Sequence, residues 1–169
     1  MSNSQELILI VHNIRSSHNV GSMLRTGDGL GIAKIYLTGY TPYPLSDNDA
    51  RLPYLAMRID KQIHKTALGA EQSILWEYHD SILPLISKLR GQEFKIYALE
   101  QVTGAIPLTN FKPPKKLAII VGREVEGIEP EIIDAVDSCL EIPMKGTKES
   151  FNVAVAAAMT LFYCQNLPK

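Results

Sequence analysis

EIPMKGTKESFNVAVAAAMTLF, residues 141–162, decides how this chain folds. The stretch begins as a strand, bends at Gly146 and runs into a helix whose only polar residues up to Phe162 are Asn152 and Thr160. A helix that is apolar on every side must be buried on more than one of them. Its alanines let another backbone approach closely. We therefore expect one side to face the sheet and the other a second copy of the chain; a helix buried wholly within one protomer is the alternative.

The polar residues at the start of this helix point to a site. Ser150 is a suitable N-cap, and Asn152 lies in the predicted first turn. Both side chains can then face the loop that precedes the helix.

The rest of the chain alternates between apolar strands and helices. Strands are predicted at residues 7–14, 34–39, 94–100, 117–122 and 139–144. Helices are predicted at residues 19–30, with Asn19 as the cap, at 82–90, at 130–136 and after Ser150. This order predicts an α/β fold with a mostly parallel sheet covered by helices on both faces. Residues 40–72, rich in proline and then polar, are predicted to form a long irregular excursion.

Composition limits the class of protein. The 169 residues suit one domain, and 46% hydrophobic and 21% charged residues are typical of a globular protein. No apolar run approaches the ~20 residues that span a bilayer, and the N-terminus does not resemble a signal peptide. Cys139 and Cys164 have no metal-ligand spacing, so we expect core packing, a reducing cytoplasmic location and no metal. A net charge of −1 argues against bulk electrostatic binding of nucleic acid but leaves room for a local basic patch.

The loops that follow the strands are rich in functional side chains. Ligands of open parallel sheets bind at the carboxyl ends of the strands. The loops there read NIRSSHN (13–19), EQVTGA (100–105), GREVEG (122–127) and PMKGTKES (143–150). Each one alone is compatible with an ordinary turn. Arg25 is either solvated or directed at an anion such as phosphate, and Gly122 permits something to approach the backbone closely.

Three motifs taken together resemble a known family. They are N-x-R-x-x-x-N-x-G-x-x-x-R-T (13–26), V-G-R-E-V-E-G-I (121–128) and I-P-M-x-G-x-x-x-S-F-N-V-A-V-A (142–156). Their order and spacing resemble the SpoU (TrmH-like) RNA 2′-O-ribose methyltransferases of the SPOUT superfamily. The resemblance implies a deep C-terminal trefoil knot, bound S-adenosylmethionine and a homodimer formed through the C-terminal helix. It covers the family's catalytic domain, so residues 1–169 are expected to form that single domain without a separate RNA-binding extension.

The resemblance also implies the roles of individual residues. The implied cofactor contacts are Leu99, Glu100, Gly122, Ile142, Met144, Ser150 and Asn152. The implied catalytic residues are Asn19, Arg25, Glu124 and Asn152. Arg25 either activates the ribose hydroxyl as a base or holds a phosphate that assists proton removal. The candidate RNA contacts are basic residues, for most of which a solvated face is the alternative: Arg15, Arg25, Lys65, Lys145 and Lys148, with Arg51, Arg58 and Lys61 as further candidates.

The expected function is methyl transfer from S-adenosylmethionine to a ribose 2′-hydroxyl of tRNA or rRNA. The alternative is a non-catalytic RNA-binding or assembly protein that keeps the same fold. A Rossmann-type nucleotide enzyme is disfavoured, because the loop after the first strand reads RSSHN rather than a glycine fingerprint. The RNA, the nucleotide and any accessory protein stay open.

Overall fold

The computed structural model describes residues 5–166. The strands are β1 (Glu6–His12), β2 (Lys34–Thr38), β3 (Trp76–His79), β4 (Lys95–Leu99), β5 (Ile106–Pro107), β6 (Lys116–Val121) and β7 (Ser138–Glu141). The helices are α1 (Ser17–Leu30), α2 (Pro53–Ala67), α3 (Ala70–Ser73), α4 (Ile82–Gly91), α5 (Pro130–Ala135) and α6 (Val153–Asn166), with one 3-10 turn at Leu108–Asn110.

All seven strands form one sheet in the order β3-β2-β1-β6-β4-β7-β5, and every pairing between them is parallel. The α/β architecture predicted from the sequence is therefore confirmed. Two late strands lie between earlier ones: β6 is inserted between β1 and β4, and β7 between β4 and β5. The trefoil knot itself stays a prediction, because strand order alone does not define how the chain is threaded.

Both faces of the sheet are covered, as expected. Leu7, Leu9 and Val11 of β1 pack in the layer that contains α1, α2 and α6. Ile8 and Ile10 point the other way, into the layer that contains α4 and α5. This period-two alternation between two apolar layers is what makes the strand segments continuously hydrophobic in sequence.

The prediction of an irregular excursion over residues 40–72 is confirmed for residues 40–52 and wrong from Pro53 onward. Most of its second half is α2, which begins with Pro53 at a position where a helix does not need its N–H. The inner face of α2 carries Ala56, Ile59, Ile63 and Ala67, a spacing of three to four residues that is typical of an amphipathic helix and that the prediction overlooked. Strand β3 was also missed, since its four half-buried residues form no apolar run.

The two predicted helix caps are wrong by a few residues. Ser16 caps α1, its Oγ accepting the N–H of Asn19 at 3.2 Å, so Asn19 lies inside the first turn. Asn152, and not Ser150, caps α6, because its Oδ1 accepts the N–H of Ala154 at 2.9 Å and that of Val155 at 3.3 Å. Both corrections leave the amide side chains at helix starts, on the edge of the sheet where the loops gather.

Helix α6 has two different apolar faces. Ala154, Ala157 and Leu161 are buried in the protomer, whereas Val155 is 48% and Phe162 60% exposed. Two of the alanines therefore serve internal packing with Leu161, and Val155 and Phe162 form the free face. Cys139 and Cys164 are free and buried, as predicted. No helix within residues 5–166 is long and apolar enough to cross a membrane.

Candidate active site

A cleft of about 300 Å³ lies at the carboxyl ends of β4, β6 and β7. Its walls are the three loops that follow these strands, together with the start of α6. Five of the predicted cofactor contacts line it: Leu99, Glu100, Gly122, Ile142 and Ser150. Met144 and Asn152 are not among the lining residues.

Glu100 holds two of these loops together. Its Oε2 accepts the N–H of Ile128 at 2.9 Å, and its Oε1 accepts the N–H of Gln101 at 3.1 Å. Gly127 has a φ of 71°, and a Cβ there would lie 2.5 Å from Glu100 Oε2. A carboxylate that already accepts two backbone N–H groups shapes the cleft as well as facing it.

Gly122 is required by the protein itself. A Cβ at this position would overlap the side chain of Ile128, which folds back under the loop after β6. A close approach at Gly122 was expected, and the approaching group is a residue six positions further along the same loop. The tight turn keeps Arg123, Glu124 and Val125 at the cleft.

Three predicted catalytic residues, one from each motif, meet beside the cleft. Asn19 Nδ2 donates to Glu124 Oε1 at 3.2 Å, and Asn152 Nδ2 donates to Asn19 Oδ1 at 3.2 Å. The side-chain oxygen of Asn152, Oδ1, caps α6. These hydrogen bonds therefore connect α1, α6 and the loop after β6 in one polar cluster at the edge of the sheet.

Arg25 is not part of this cluster. It is exposed on α1, and no hydrogen bond or ion pair within residues 5–166 involves its side chain. Six residues along a helix correspond to about 9 Å of rise and about 120° of rotation from Asn19. Lys145 and Lys148 are exposed in the loop before α6, and Lys65 is exposed on α2. Arg15, also exposed, contacts the site through Nη2, 3.3 Å from Glu126 Oε1.

A buried polar network under the cleft was missed by the sequence analysis. His12 Nδ1 lies 2.8 Å from Thr38 Oγ1, and Asn13 Nδ2 donates to Glu129 Oε1 at 2.9 Å. Glu129 Oε2 lies 3.3 Å from His12 Nε2, and Arg123 Nη2 lies 3.5 Å from Glu129 Oε1. The only sequence signal was a polar His-Asn pair at the end of an otherwise apolar strand.

This network shifts the pKa values of its members. Burial lowers the pKa of His12, although Glu129 acts in the opposite direction. Burial opposes ionisation of Glu129, but hydrogen bonds from the backbone and from Asn13 outweigh it and lower the pKa of the carboxyl. At neutral pH the network is therefore a neutral imidazole beside a carboxylate paired with Arg123. Within residues 5–166, no group of three or more His, Cys, Asp or Glu side chains is arranged to hold a metal ion.

Comparison with protein families gives one match over almost the whole chain. Residues 6–162 match the model of the SpoU rRNA Methylase family. This range contains all three motifs and every element that forms the cleft.

Individual relatives agree with this match. The chain is 25% identical over 161 residues to the tRNA (guanosine(18)-2′-O)-methyltransferase of Aquifex aeolicus, covering 95% of this chain and 69% of that protein. It is 26% identical over 162 residues to a 23S rRNA (guanosine-2′-O-)-methyltransferase of Acinetobacter baylyi, covering 95% of this chain and 60% of that one. This chain thus spans about two thirds of the length of these relatives.

A solved structure has the same fold. The SpoU methyltransferase AviRb of Streptomyces viridochromogenes, in complex with the cofactor AdoMet, superposes with a TM-score of 0.80 at 18% identity. The similarity covers 96% of this chain and 60% of that one.

Proposed function

The chain belongs to the SpoU rRNA methylase family, and from that premise we propose that it transfers the methyl group of S-adenosylmethionine to a ribose 2′-hydroxyl of tRNA or rRNA. The observation that best supports this is the joining of Asn19, Glu124 and Asn152, from three separate motifs, beside a cleft at the strand ends. The named relatives act on both RNA classes.

The lining of the cleft fits S-adenosylmethionine. Leu99, Leu140 and Ile142 offer apolar surface for an adenine ring, and Glu149 and Ser150 offer oxygen acceptors to a cationic group. The bound cofactor supplies an electrophilic methyl group on a sulfonium. The protein then has to exclude water from the reacting atoms, align the ribose hydroxyl and accept its proton. Alignment of this kind lowers barriers by about 7–11 kcal/mol.

The polar cluster beside the cleft is suited to that alignment. Glu124 is exposed and anchored on Asn19, so its second oxygen is available to accept a hydrogen bond from a ribose hydroxyl. Arginine side chains keep their proton in proteins, so Arg25 acts as a donor that holds a phosphate next to the reacting ribose. A phosphate placed this way assists proton removal from the 2′-hydroxyl.

The position of Arg25 suggests that two subunits build each complete site. It lies on the exposed side of α1, outside the cleft lining of its own protomer. The free face of α6 carries Val155 and Phe162, and this apolar surface supports a homodimer formed through the C-terminal helix. We propose that Arg25 serves the cleft of the partner subunit. A cytoplasmic location is supported by the two free, buried thiols.

Methyl transfer is tested with purified protein, S-adenosylmethionine carrying a labelled methyl group, and total tRNA and rRNA. We expect label in RNA as 2′-O-methylribose, which mass spectrometry of nuclease digests locates. Arg25→Ala should abolish transfer while calorimetry gives an almost unchanged cofactor affinity; Arg90→Ala, an equal charge change on α4, is the control. If the wild-type protein binds RNA but transfers label neither to tRNA nor to rRNA, a non-catalytic RNA-binding protein would be favoured.

Subunit cooperation is tested by mixing two inactive variants. Arg25→Ala keeps an intact cleft, and Ser150→Trp blocks the cleft but keeps Arg25. If Arg25 acts on the partner subunit, equal mixtures exchange into heterodimers with one working site and recover about one quarter of the wild-type rate. An inactive mixture would mean that Arg25 acts within its own protomer. Phe162→Arg should give monomers by light scattering, whereas Tyr54→Arg should not; Tyr54 is an aromatic residue on α2 that is 71% exposed, compared with 60% for Phe162.

A further inference from the structure

A second cleft lies beside the first, between the loop after β2 and one face of α2. Its volume is about 470 Å³, within the range of small-molecule sites. Six of the side chains that line it are arginines and tyrosines: Arg15, Arg51, Arg58, Tyr40, Tyr43 and Tyr78. We call it the tyrosine cleft. Proteins commonly bind single-stranded nucleic acid with arginine and aromatic side chains.

Three of these side chains form a preassembled floor. The ring of Tyr43 stacks on Tyr78 with centroids 4.1 Å apart, and the guanidinium carbon of Arg51 lies 3.6 Å from the Tyr43 centroid. Two neighbours at these distances must occupy opposite faces of Tyr43. Arg51 is further held by an ion pair with Asp49, and the Tyr78 hydroxyl donates to the carbonyl of Gly39 at 2.7 Å. The side chains of the floor therefore already have partners within the protein.

Two of the remaining lining side chains, Tyr40 and Arg58, are exposed and can meet a ligand. Tyr40 is 51% exposed, and its backbone is anchored by an N–H bond of 3.1 Å to Asn13 Oδ1. Arg58 is exposed on α2 and has no carboxylate within 4.0 Å among residues 5–166. Leu55 and Gln62 share this helix face with it, at the spacing of successive turns. An exposed aromatic ring and a guanidinium without a nearby carboxylate in the described part of the chain therefore line the same cavity.

The tyrosine cleft adjoins the proposed active site. Arg15 lines it and also contacts Glu126, which lines the first cleft. This cation therefore sits between the two clefts. A ligand that runs from one cleft into the other would pass Arg15.

We propose that the tyrosine cleft binds one unpaired nucleotide of the RNA substrate, with its base against the ring of Tyr40 and its phosphate on Arg15 and Arg58. This rests on the proposed function only in taking RNA as the ligand. Every base has a flat face that stacks on an aromatic ring, and an arginine fork matches a phosphate. A protein with a net charge of −1 needs such a concentrated site, since it has no overall attraction for RNA.

The stacking part is tested by binding of a fluorescein-labelled single-stranded oligouridylate of ten residues. Tyr40→Ala should weaken binding about 10-fold, the loss of one base–aromatic stack. Tyr40→Phe keeps the ring and should stay within about threefold of wild type. Tyr54→Ala removes a more exposed tyrosine, 71% exposed on α2 and outside the cleft lining, and should leave binding unchanged. Uridine monophosphate that binds as tightly as the oligonucleotide would overturn the proposal in favour of a free-nucleotide site.

The phosphate part is tested by salt dependence. Arg58→Ala should reduce the slope of log affinity against log salt by about 0.7, the value for one phosphate contact on a single strand. Arg58→Lys, which keeps the charge, should preserve the slope, and Arg90→Ala on α4 should leave it unchanged despite the equal charge loss. A merely structural role of Arg58 would change affinity without changing this slope, and thermal melts followed by circular dichroism check that each variant is folded.

The same proteins are assayed for cofactor binding and methyl transfer. If Tyr40→Ala and Arg58→Ala bind the oligonucleotide like wild type while the wild type methylates RNA, the tyrosine cleft is not a nucleotide site and the proposed function stands. If both variants lose affinity while the wild type neither binds S-adenosylmethionine nor transfers methyl groups, the proposed function fails and the nucleotide site stands.

Discussion

Two glycines of α1 should respond to the same substitution with opposite signs. Gly21 faces α2, and a Cβ there would overlap both the hydroxyl of Thr66 and the backbone carbonyl of Ile63. Gly29, eight residues further along α1, has nothing within 4 Å of the position where its Cβ would lie. Neither residue has a positive φ, so alanine is conformationally allowed at both. Helix propensity is thus matched, and only the neighbours differ.

The magnitudes follow from these neighbours. Alanine is better than glycine in a helix interior by about 0.5–1 kcal/mol, which is the gain expected for Gly29→Ala. At Gly21 the same gain is opposed by overpacking, which costs about 1–3 kcal/mol and tends to the upper end here, because a carbonyl cannot rotate away. The two variants should therefore differ by about 2–3 kcal/mol. For a chain of this size that is a difference of roughly 4–12 °C in melting temperature.

Urea denaturation and calorimetry measure the free energy of unfolding and the melting temperature of both variants. Adding Thr66→Ala to Gly21→Ala removes one of the two overlaps and should recover part of the loss, while the overlap with Ile63 remains. Equal stability of the Gly21→Ala and Gly29→Ala variants would refute the close packing of α1 on α2. So would a Gly21→Ala protein more stable than wild type.

Three further changes probe the cap, the histidines and the core. Asn152→Ala should cost about 1 kcal/mol of unfolding free energy in urea titrations, because it removes the α6 cap, whereas Ser150→Ala should cost almost nothing; the reverse order would restore Ser150 as the cap. In an NMR titration His12 should titrate below 6.5, because burial lowers its pKa, and His64 above 6.5, because its hydrogen bond with a carboxylate raises its pKa. The contribution of neutral His12 to stability should then be lost as pH falls through 6.5 towards its folded pKa. The contribution of protonated His64 should be lost as pH rises from 6.5 through its raised folded pKa. Titration midpoints of the two histidines on the same side of 6.5 would contradict this. Burial raises the pKa of Cys164 to about 12, so a thiol reagent should label it only after unfolding, and rapid labelling of the native protein would be inconsistent with its packing.

Short-range patterns predicted the sheet better than the helices around it. The core strands β1, β2, β4, β6 and β7 are buried between two layers, and a strand buried on both sides must be apolar at nearly every position. Helix α2 carries an apolar stripe of Ala56, Ile59, Ile63 and Ala67, but it follows a proline-rich segment and no side chain caps its start. Its beginning therefore lacks the usual start signal, and the helix was not predicted.

The candidate site could be predicted only in part from the sequence. Motif spacing singled out Asn19, Glu124 and Asn152, but their mutual hydrogen bonds depend on strands that are inserted between earlier ones. The capping residues and the partner of Gly122 depend on the path of the backbone, which brings Ile128 to 2.4 Å from the position of a Cβ on Gly122. No pattern along the sequence encodes that path.

By itself the sequence determined the α/β class, the parallel sheet, the apolar last helix and the family, because each depends on periodicity or on motifs contiguous along the chain. Only the tertiary structure decided that Ala154 and Ala157 face inward and Phe162 outward. It also decided that Glu100 ties two loops together and that Tyr40 and Arg58 share a cavity. The physical reason is that these relations join residues up to more than a hundred positions apart. Their contacts are set by how the layers pack, and neighbouring residues along the chain do not reveal them.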